Sequence, residues 1–259
     1  MSAKTALITG ASSGIGKELS YIFAQYKTNL VIVARNIDAL HQIASDIKQK
    51  YGVDVAIIPS DLGKPDAALD VYNKVKALNI SVDYIVNNAG FGDFGHFADT
   101  SWEKEHEMIE VNITALTQMT KLFVRDMVTK GGGKIMNLAS TAAFQPGPLM
   151  AVYYATKAYV LSFSEAIANE LKDQNITVTA LCPGATESGF EKASNMEGSR
   201  LFNMRKLPSS AEVALFGYNA MMRGQAVAIQ GLINKIMVGV VPFSPRKILL
   251  NVVKAMNGK

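Results

Sequence analysis

Seven short apolar runs, each parted from the next by a helical pattern, limit what this chain can fold into. They fall at residues 5–9, 30–34, 53–58, 84–86, 134–138, 176–181 and 226–229. Each is continuously apolar rather than alternating, which is how strands covered by helices on both faces read. Helices are expected at 14–26, 37–50, 65–78, 102–128 and 151–172. Pro65 suits the first turn of the third, and the glycines at 131–133 break the fourth. Strand and helix, repeated with short connections, mean a doubly wound, mostly parallel seven-stranded α/β sheet flanked by helices. No repeat, low-complexity tract or linker marks a second domain, so one domain over residues 1–259 is expected. The least regular stretch, 185–209, is expected to form a lid over a substrate.

Composition excludes several classes of function. Apolar residues make up 49% and charged residues 19%, ordinary for a globular enzyme. The formal charge of +4 is mild and no basic run is interleaved with aromatics, so no nucleic-acid partner is expected. The one cysteine, Cys182, lies in the apolar run T-V-T-A-L-C and reads as a small core residue. His41, His96 and His106 are scattered without metal-ligand spacing, so no metal is expected. The N-terminus runs straight into a strand without a secretory apolar region, so a cytoplasmic location is expected. No apolar run approaches the roughly 20 residues that span a bilayer. Residues 231–259 mix apolar side chains with Lys235, Arg246, Lys247 and Lys254. A basic amphipathic tail can lie on a membrane, but packing on the chain's own domain or a neighbouring subunit is preferred here, and membrane association is not expected.

Two motifs carry chemistry. Residues 9–16 read T-G-A-S-S-G-I-G between the first strand and the first helix. Gly10, Gly14 and Gly16 would let the backbone turn tightly and approach a pyrophosphate seated on the helix N-terminus. The spacing is G-x-x-x-G-x-G, not the standard G-x-G-x-x-G. Further on, Tyr153 and Lys157 are four residues apart, on one face of a helix. A nearby ammonium favours the phenolate and lowers the phenol's pKa, and such a pair can exchange a proton with a carbonyl or alcohol oxygen. An acidic residue ending the second strand would bind a ribose 2′-hydroxyl and repel a 2′-phosphate. Here Ala34 ends it, followed by Arg35 and Asn36, and Asp38 falls too late. Arg35 offers a planar fork for a phosphate, so the expected cofactor is NADP(H), with Arg35→Asp as the substitution that should reduce the preference for it.

The ordered set T-G-A-S-S-G-I-G, Asp61-Leu62, Asn87-Asn88-Ala89-Gly90, Asn112, Ser140, Tyr153-x-x-x-Lys157 and Pro183-Gly184 resembles the short-chain dehydrogenase/reductase family, from about residue 5 to 190. The resemblance implies a Rossmann fold and roles residue by residue. Tyr153 is the general acid for reduction and the base for oxidation. Lys157 lowers its pKa and holds the nicotinamide ribose. Ser140 holds the substrate oxygen, and Asn112 anchors a water in a proton relay. Gly10, Ser12, Ser13, Gly14, Ile15 and Gly16 cradle the cofactor, with serines where some NADP users have a basic residue. Asp61 and Leu62 cap the adenine, and Asn87, Asn88, Ala89 and Gly90 line the cofactor. Pro183, Gly184, Thr186 and Ser188 form the segment that meets the carboxamide. Ser188 stands where the family often has threonine. The implied activity is interconversion of a carbonyl and a secondary alcohol. A catalytically silent NADP(H)-binding sensor on the same fold is the alternative. The family also pairs subunits through the helices carrying Asn112 and Tyr153, which implies a homodimer or homotetramer.

Phe91, Phe94, Phe97, Phe144, Leu149, Met150, Phe190, Met196 and Met204 are candidates to line the substrate pocket. They are apolar, which favours an apolar or aromatic carbonyl or alcohol over a charged sugar.

Overall fold

The computed structural model describes residues 3–202 and 207–258. One sheet runs through its centre: β1 (Thr5–Thr9), β2 (Asn29–Ala34), β3 (Val55–Pro59), β4 (Tyr84–Asn87), β5 (Gly133–Leu138), β6 (Ile176–Cys182) and β7 (Val227–Ile229). The strand order is β3-β2-β1-β4-β5-β6-β7 and every ladder is parallel. The order reverses between β1 and β4. At that switch point a crevice opens beyond the carboxyl ends of the strands.

Helices cover both faces. On one lie α1 (Gly14–Gln25), α2 (Ile37–Tyr51) and the later α8; on the other lie α3 (Ala67–Ala77), α5 and α6. Side-chain alternation along β1 feeds both layers: Ala6 and Ile8 join the first, Leu7 the second. A strand buried on both sides must be apolar at every position, which is why the runs are continuous. α3 begins at Ala67, two residues later than expected. The chain first closes a turn at its start, where the Ala67 amide donates to the Lys64 carbonyl at 3.3 Å, so Pro65 precedes the helix instead of opening it.

The expected helix over 102–128 is three pieces. α4 (Trp102–Ile109) passes into a π-helical turn, Glu110–Ala115, and then α5 (Leu116–Lys130). Hydrophobic spacing gives no warning of one extra residue in a turn, and such insertions concentrate at functional sites. Gly131 then ends α5 in the left-handed region at φ 89°, as the glycine run implies. α6 (Ala151–Glu170) follows, then the short α7 (Phe190–Ala193).

α8 (Ser210–Met222) is not foreseen, because it is apolar on most of its surface and so lacks an amphipathic stripe. Its start does carry a readable signal, a capping box between Ser209 and Glu212. α9 (Leu232–Val240) and α10 (Arg246–Asn257) complete the chain.

The first layer is organised around Phe23. It is fully buried, with its ring centroid 5.5 Å from Tyr84 and 5.0 Å edge-on from Tyr218. Phe23→Ala leaves a cavity between α1, α8 and the sheet. It should cost about 3–5 kcal/mol, measured by urea unfolding; a loss below about 1 kcal/mol would mean the layer collapses to fill the gap.

Candidate active site

The Gly-rich turn is held from β4. The Thr9 hydroxyl receives hydrogen bonds from the amides of Asn88 and Ala89, both at 3.0 Å. The Asn88 side chain donates to the carbonyls of Thr9 at 2.9 Å and Gly10 at 3.2 Å. A Cβ on Gly10 would stand 2.7 Å from the Asn88 amide nitrogen, and one on Gly16 would collide with that nitrogen and with the Gly10 carbonyl oxygen. Only glycine lets the turn lie this close to β4. Gly10 and Gly14 also sit at φ 65° and 52°, in the left-handed region. The N-terminus of α1 is uncapped: Ser13 makes no side-chain cap and the first turn has no acidic residue. Free amides at the positive end of a helix suit a phosphate, so this turn fits the pyrophosphate of a dinucleotide.

Across the switch point, Ser140 follows β5 and Tyr153 and Lys157 project from the first two turns of α6. The Ser140 hydroxyl donates to the Pro183 carbonyl at 3.4 Å, accepts from the Ala142 amide at 3.1 Å and is near enough to Tyr153 to favour its phenolate. The Lys157 Nζ donates to the Leu138 carbonyl at 2.7 Å. A Cβ on Gly90 would lie 2.9 Å from Asn112 Oδ1 and 3.4 Å from Lys157 Nζ, so Gly90 keeps open the space between these two groups. Asn112 sits inside the π turn. Its Nδ2 donates to the Phe91 carbonyl and to the Thr156 hydroxyl, each at 3.0 Å, and its Oδ1 accepts from the Phe91 amide at 3.2 Å. The Thr156 hydroxyl donates in turn to the Tyr153 carbonyl at 2.7 Å. Thr156 therefore links Asn112 to the Tyr153 backbone, while the Phe91 backbone holds Asn112 and the Leu138 carbonyl holds Lys157. Sequence spacing gave no sign of them, because their backbone groups do much of the work.

Burial dominates the electrostatics. Tyr153 is 8% exposed and Lys157 is 4% exposed. Desolvation pushes the Tyr153 phenol well above its ordinary range, and the Ser140 hydrogen bond pulls it back in part. Desolvation also lowers the Lys157 ammonium to about 8. Desolvation works against the expected acidification of Tyr153 by Lys157. The ammonium lies 5.8 Å from the tyrosine ring centroid and donates to the Leu138 carbonyl. The cost of charging a buried phenol outweighs its attraction at that distance.

The residues expected to meet the adenine are more mixed in exposure. Arg35 Nη1 lies 3.2 Å from Glu107 Oε1, with side chains 68% and 39% exposed. Asp61 ends the β3 connection and accepts from the Gly63 amide at 3.2 Å, while Leu62 is buried in the second layer. Asn87, expected among the cofactor residues, turns its amide into the core. It donates to the Thr120 hydroxyl and to Asn137 Oδ1, both at 2.9 Å. Pro183 and Gly184 follow β6; the Thr186 hydroxyl donates to the Gly184 carbonyl and the Ser188 hydroxyl to the Thr186 carbonyl. Ser188 also reaches the Gly-rich turn, its carbonyl oxygen 3.1 Å from where a Gly14 Cβ would be. Cys182 is fully buried, as expected, and burial pushes its thiol up to about 12. No group of His, Cys, Asp and Glu that could hold a metal occurs among the described residues.

Phe190, Asn195 and Met196, from the described part of the 185–209 stretch, lie against the cleft residues. Phe190 of α7 packs its ring 5.2 Å from Tyr153. Buried Asp93 ties the stretch down: its Oδ1 accepts from Lys104 Nζ at 2.6 Å and from Asn195 Nδ2 at 3.0 Å. Phe91, Phe94, Met150, Phe190 and Met196 gather around Tyr153 as one apolar cluster. Leu149 and Phe97 border the cleft, Phe97 at 71% exposure. Phe144 belongs to a different cluster with Leu116 and Val160, so it is removed from the pocket. Met204 lies outside the described residues.

The Lys157 shift has a measurable consequence in the cofactor-free protein. Its folded pKa of about 8 lies below the ordinary 10.5. Between those values the unfolded chain holds the proton and the folded chain does not, so stability rises with pH across that window. Lys157→Met lacks this dependence and keeps the contribution of Tyr153 unchanged. The wild-type melting temperature should therefore climb relative to Lys157→Met between pH 8 and pH 10. Parallel curves would show that the ammonium is not desolvated.

Similarity to known proteins agrees with this arrangement. A family model described as short chain dehydrogenase matches residues 4–198. The chain is 35% identical over 193 residues to the mouse (Mus musculus) 17-beta-hydroxysteroid dehydrogenase type 3, covering 73% of this chain and 62% of that protein. It is 37% identical over 180 residues to the very-long-chain 3-oxoacyl-CoA reductase of Laccaria bicolor, covering 68% of this chain and 53% of that one. The chain thus spans less than two thirds of the length of these relatives. Among solved structures, a short-chain dehydrogenase from Sphingobium yanoikuyae in complex with NADPH superposes with a TM-score of 0.82 at 28% identity, over 94% of this chain and 97% of that one. With three quarters of its length matched by the family model, the chain belongs to the short-chain dehydrogenase family.

Proposed function

We propose that this protein is an NADP(H)-dependent oxidoreductase that interconverts a carbonyl and a secondary alcohol on an apolar substrate. The observation that carries the reading is the meeting of the Ser140 and Tyr153 hydroxyls beside a buried Lys157, at the strand edge where the uncapped Gly-rich turn fits a dinucleotide. When bound, the nicotinamide supplies the hydride in reduction and accepts it in oxidation. Ser140 donates a hydrogen bond to the substrate oxygen. Tyr153 gives that oxygen its proton as the carbon becomes an alcohol carbon, and takes it back in the reverse direction. Lys157, near neutrality in its own titration, compensates the phenolate once the cleft closes. Asn112 positions the Tyr153 turn through Thr156 and the Phe91 backbone. The 185–209 stretch acts as the lid, with Phe190 excluding water from the reacting oxygen.

The apolar cluster around Tyr153 supports an apolar substrate. Two of the relatives are named for a hydroxysteroid and a very-long-chain 3-oxoacyl group, both dominated by hydrocarbon. NADPH oxidation across a panel of apolar ketones tests the reading. Tyr153→Phe should lower turnover by about 10²–10⁴-fold while NADPH fluorescence still reports binding. Equal turnover in both proteins would remove Tyr153 from the mechanism. NADPH binding without turnover on any ketone would favour a cofactor-binding sensor.

Cofactor preference rests on Arg35. Its partnership with Glu107 is an exposed ion pair, worth little in water, and a 2′-phosphate can replace it with bidentate geometry. Arg35→Asp should cut the NADPH-over-NADH ratio of kcat/KM by about 10-fold or more, in line with one lost charge-assisted contact. Glu107→Gln, which frees the guanidinium, should move the ratio the other way. Unchanged ratios in both variants would place the discrimination elsewhere.

A further inference from the structure

The most exposed apolar surface of the molecule is the α9–α10 segment. Among the described residues, nine of the seventeen exposed large hydrophobic side chains lie between Leu232 and Val252. No residue of α9 is buried. Leu232, Ile233, Ile236, Met237 and Val240 of that helix are 41–73% exposed, and Phe243 in the following turn is 86% exposed. α10 buries Leu249 and Val253 but leaves Ile248 and Val252, one helical turn apart, facing out. A patch of this kind on a water-soluble surface marks an interaction site.

Its charge selects the occupant. Residues 213–259 hold six of the 26 basic residues and none of the 22 acidic ones, so that stretch is +6 and the rest of the chain −2. Lys235, Arg246, Lys247 and Lys254 are exposed, and none forms an ion pair among the described residues. A second copy meeting the same patch about a two-fold axis would set cation against cation, with no carboxylate on the segment to answer them. An apolar segment whose charged side chains are all lysine and arginine matches the boundary of a bilayer with anionic headgroups, where hydrocarbon takes the helix face and the headgroups take the cations.

We propose that α9, the Phe243 turn and the outer face of α10 dock the protein on an anionic lipid surface, lying in the interface without crossing it. No helix among the described residues is long and apolar enough to cross a membrane. α9 starts directly over the cofactor edge of the site: a Cβ on Gly184 would lie 2.7 Å from Asn234 Nδ2. Val241 packs on the cluster that holds Tyr153. Docking therefore sets the cleft beside the lipid, which, on the function proposed above, gives a hydrocarbon-rich carbonyl a route in from the bilayer.

Sedimentation of the full chain with vesicles tests the docking without reference to turnover. Vesicles of phosphatidylcholine with 30% phosphatidylglycerol, about the anionic share of a charged leaflet, should pellet the wild type, and pure phosphatidylcholine should pellet far less. Ile236→Glu with Phe243→Glu should lower binding at least ~10-fold. Arg246→Glu with Lys247→Glu should lower it at least ~20-fold on anionic vesicles only. Circular dichroism melts of both variants confirm folding, since every altered side chain is exposed. A wild type that stays in solution with both vesicle types overturns the proposal. So does a vesicle-free protein whose sedimenting mass falls on Ile236→Glu with Phe243→Glu, because a second copy then covers the patch.

Discussion

Parallel pairing is the constraint from which the rest of this structure follows. Seven strands running the same way put all their carboxyl ends at one edge, and the reversal of order between β1 and β4 opens a crevice there. The Gly-rich turn leaves β1, Asn88 leaves β4, Ser140 leaves β5 and Pro183 leaves β6, all at that edge. Residues up to about 170 positions apart in the chain thereby converge on one cleft. Asn88 makes the convergence rigid by spanning from β4 to two carbonyls of the glycine turn. A single slip of register at β1–β4 would break this clamp and move the turn off the crevice.

Within the cleft, desolvation is the main force acting on the chemical groups. It holds Tyr153 in its protonated form and Lys157 near the point where it can lose its charge. A site built this way keeps a proton on the phenol. The lysine's partner at rest is a main-chain carbonyl, not a carboxylate. Its charge is therefore not neutralised by an acidic side chain. The same burial makes the surrounding backbone matter: Phe91 and Leu138 supply groups that no side-chain motif encodes.

The periphery follows a different logic. Arg35 and Glu107 are exposed and weakly coupled, while Asp93, nine-tenths buried, holds both Lys104 and Asn195. One pair is easily exchanged for a ligand and the other is costly to break. The molecule thus combines a weak, exposed ion pair at Arg35 with a buried one at Asp93.

How much of this was legible in the chain depends on the range of the interaction. The strands, the helices around them and the placement of Gly10, Tyr153 and Lys157 are written locally, in runs of apolar residues and in spacings of a few positions, because backbone geometry repeats over that distance. The π turn at Asn112, the mostly apolar α8 and the inward turn of Asn87 were not. Each is settled by what lies across the fold: Thr156 and Phe91 for Asn112, the sheet and α1 for α8, Thr120 and Asn137 for Asn87. The direction of the Tyr153 shift belongs with these. A four-residue spacing says that an ammonium is near, but only the packed structure decides how much water has been removed from the phenol, and removal of water is the larger effect.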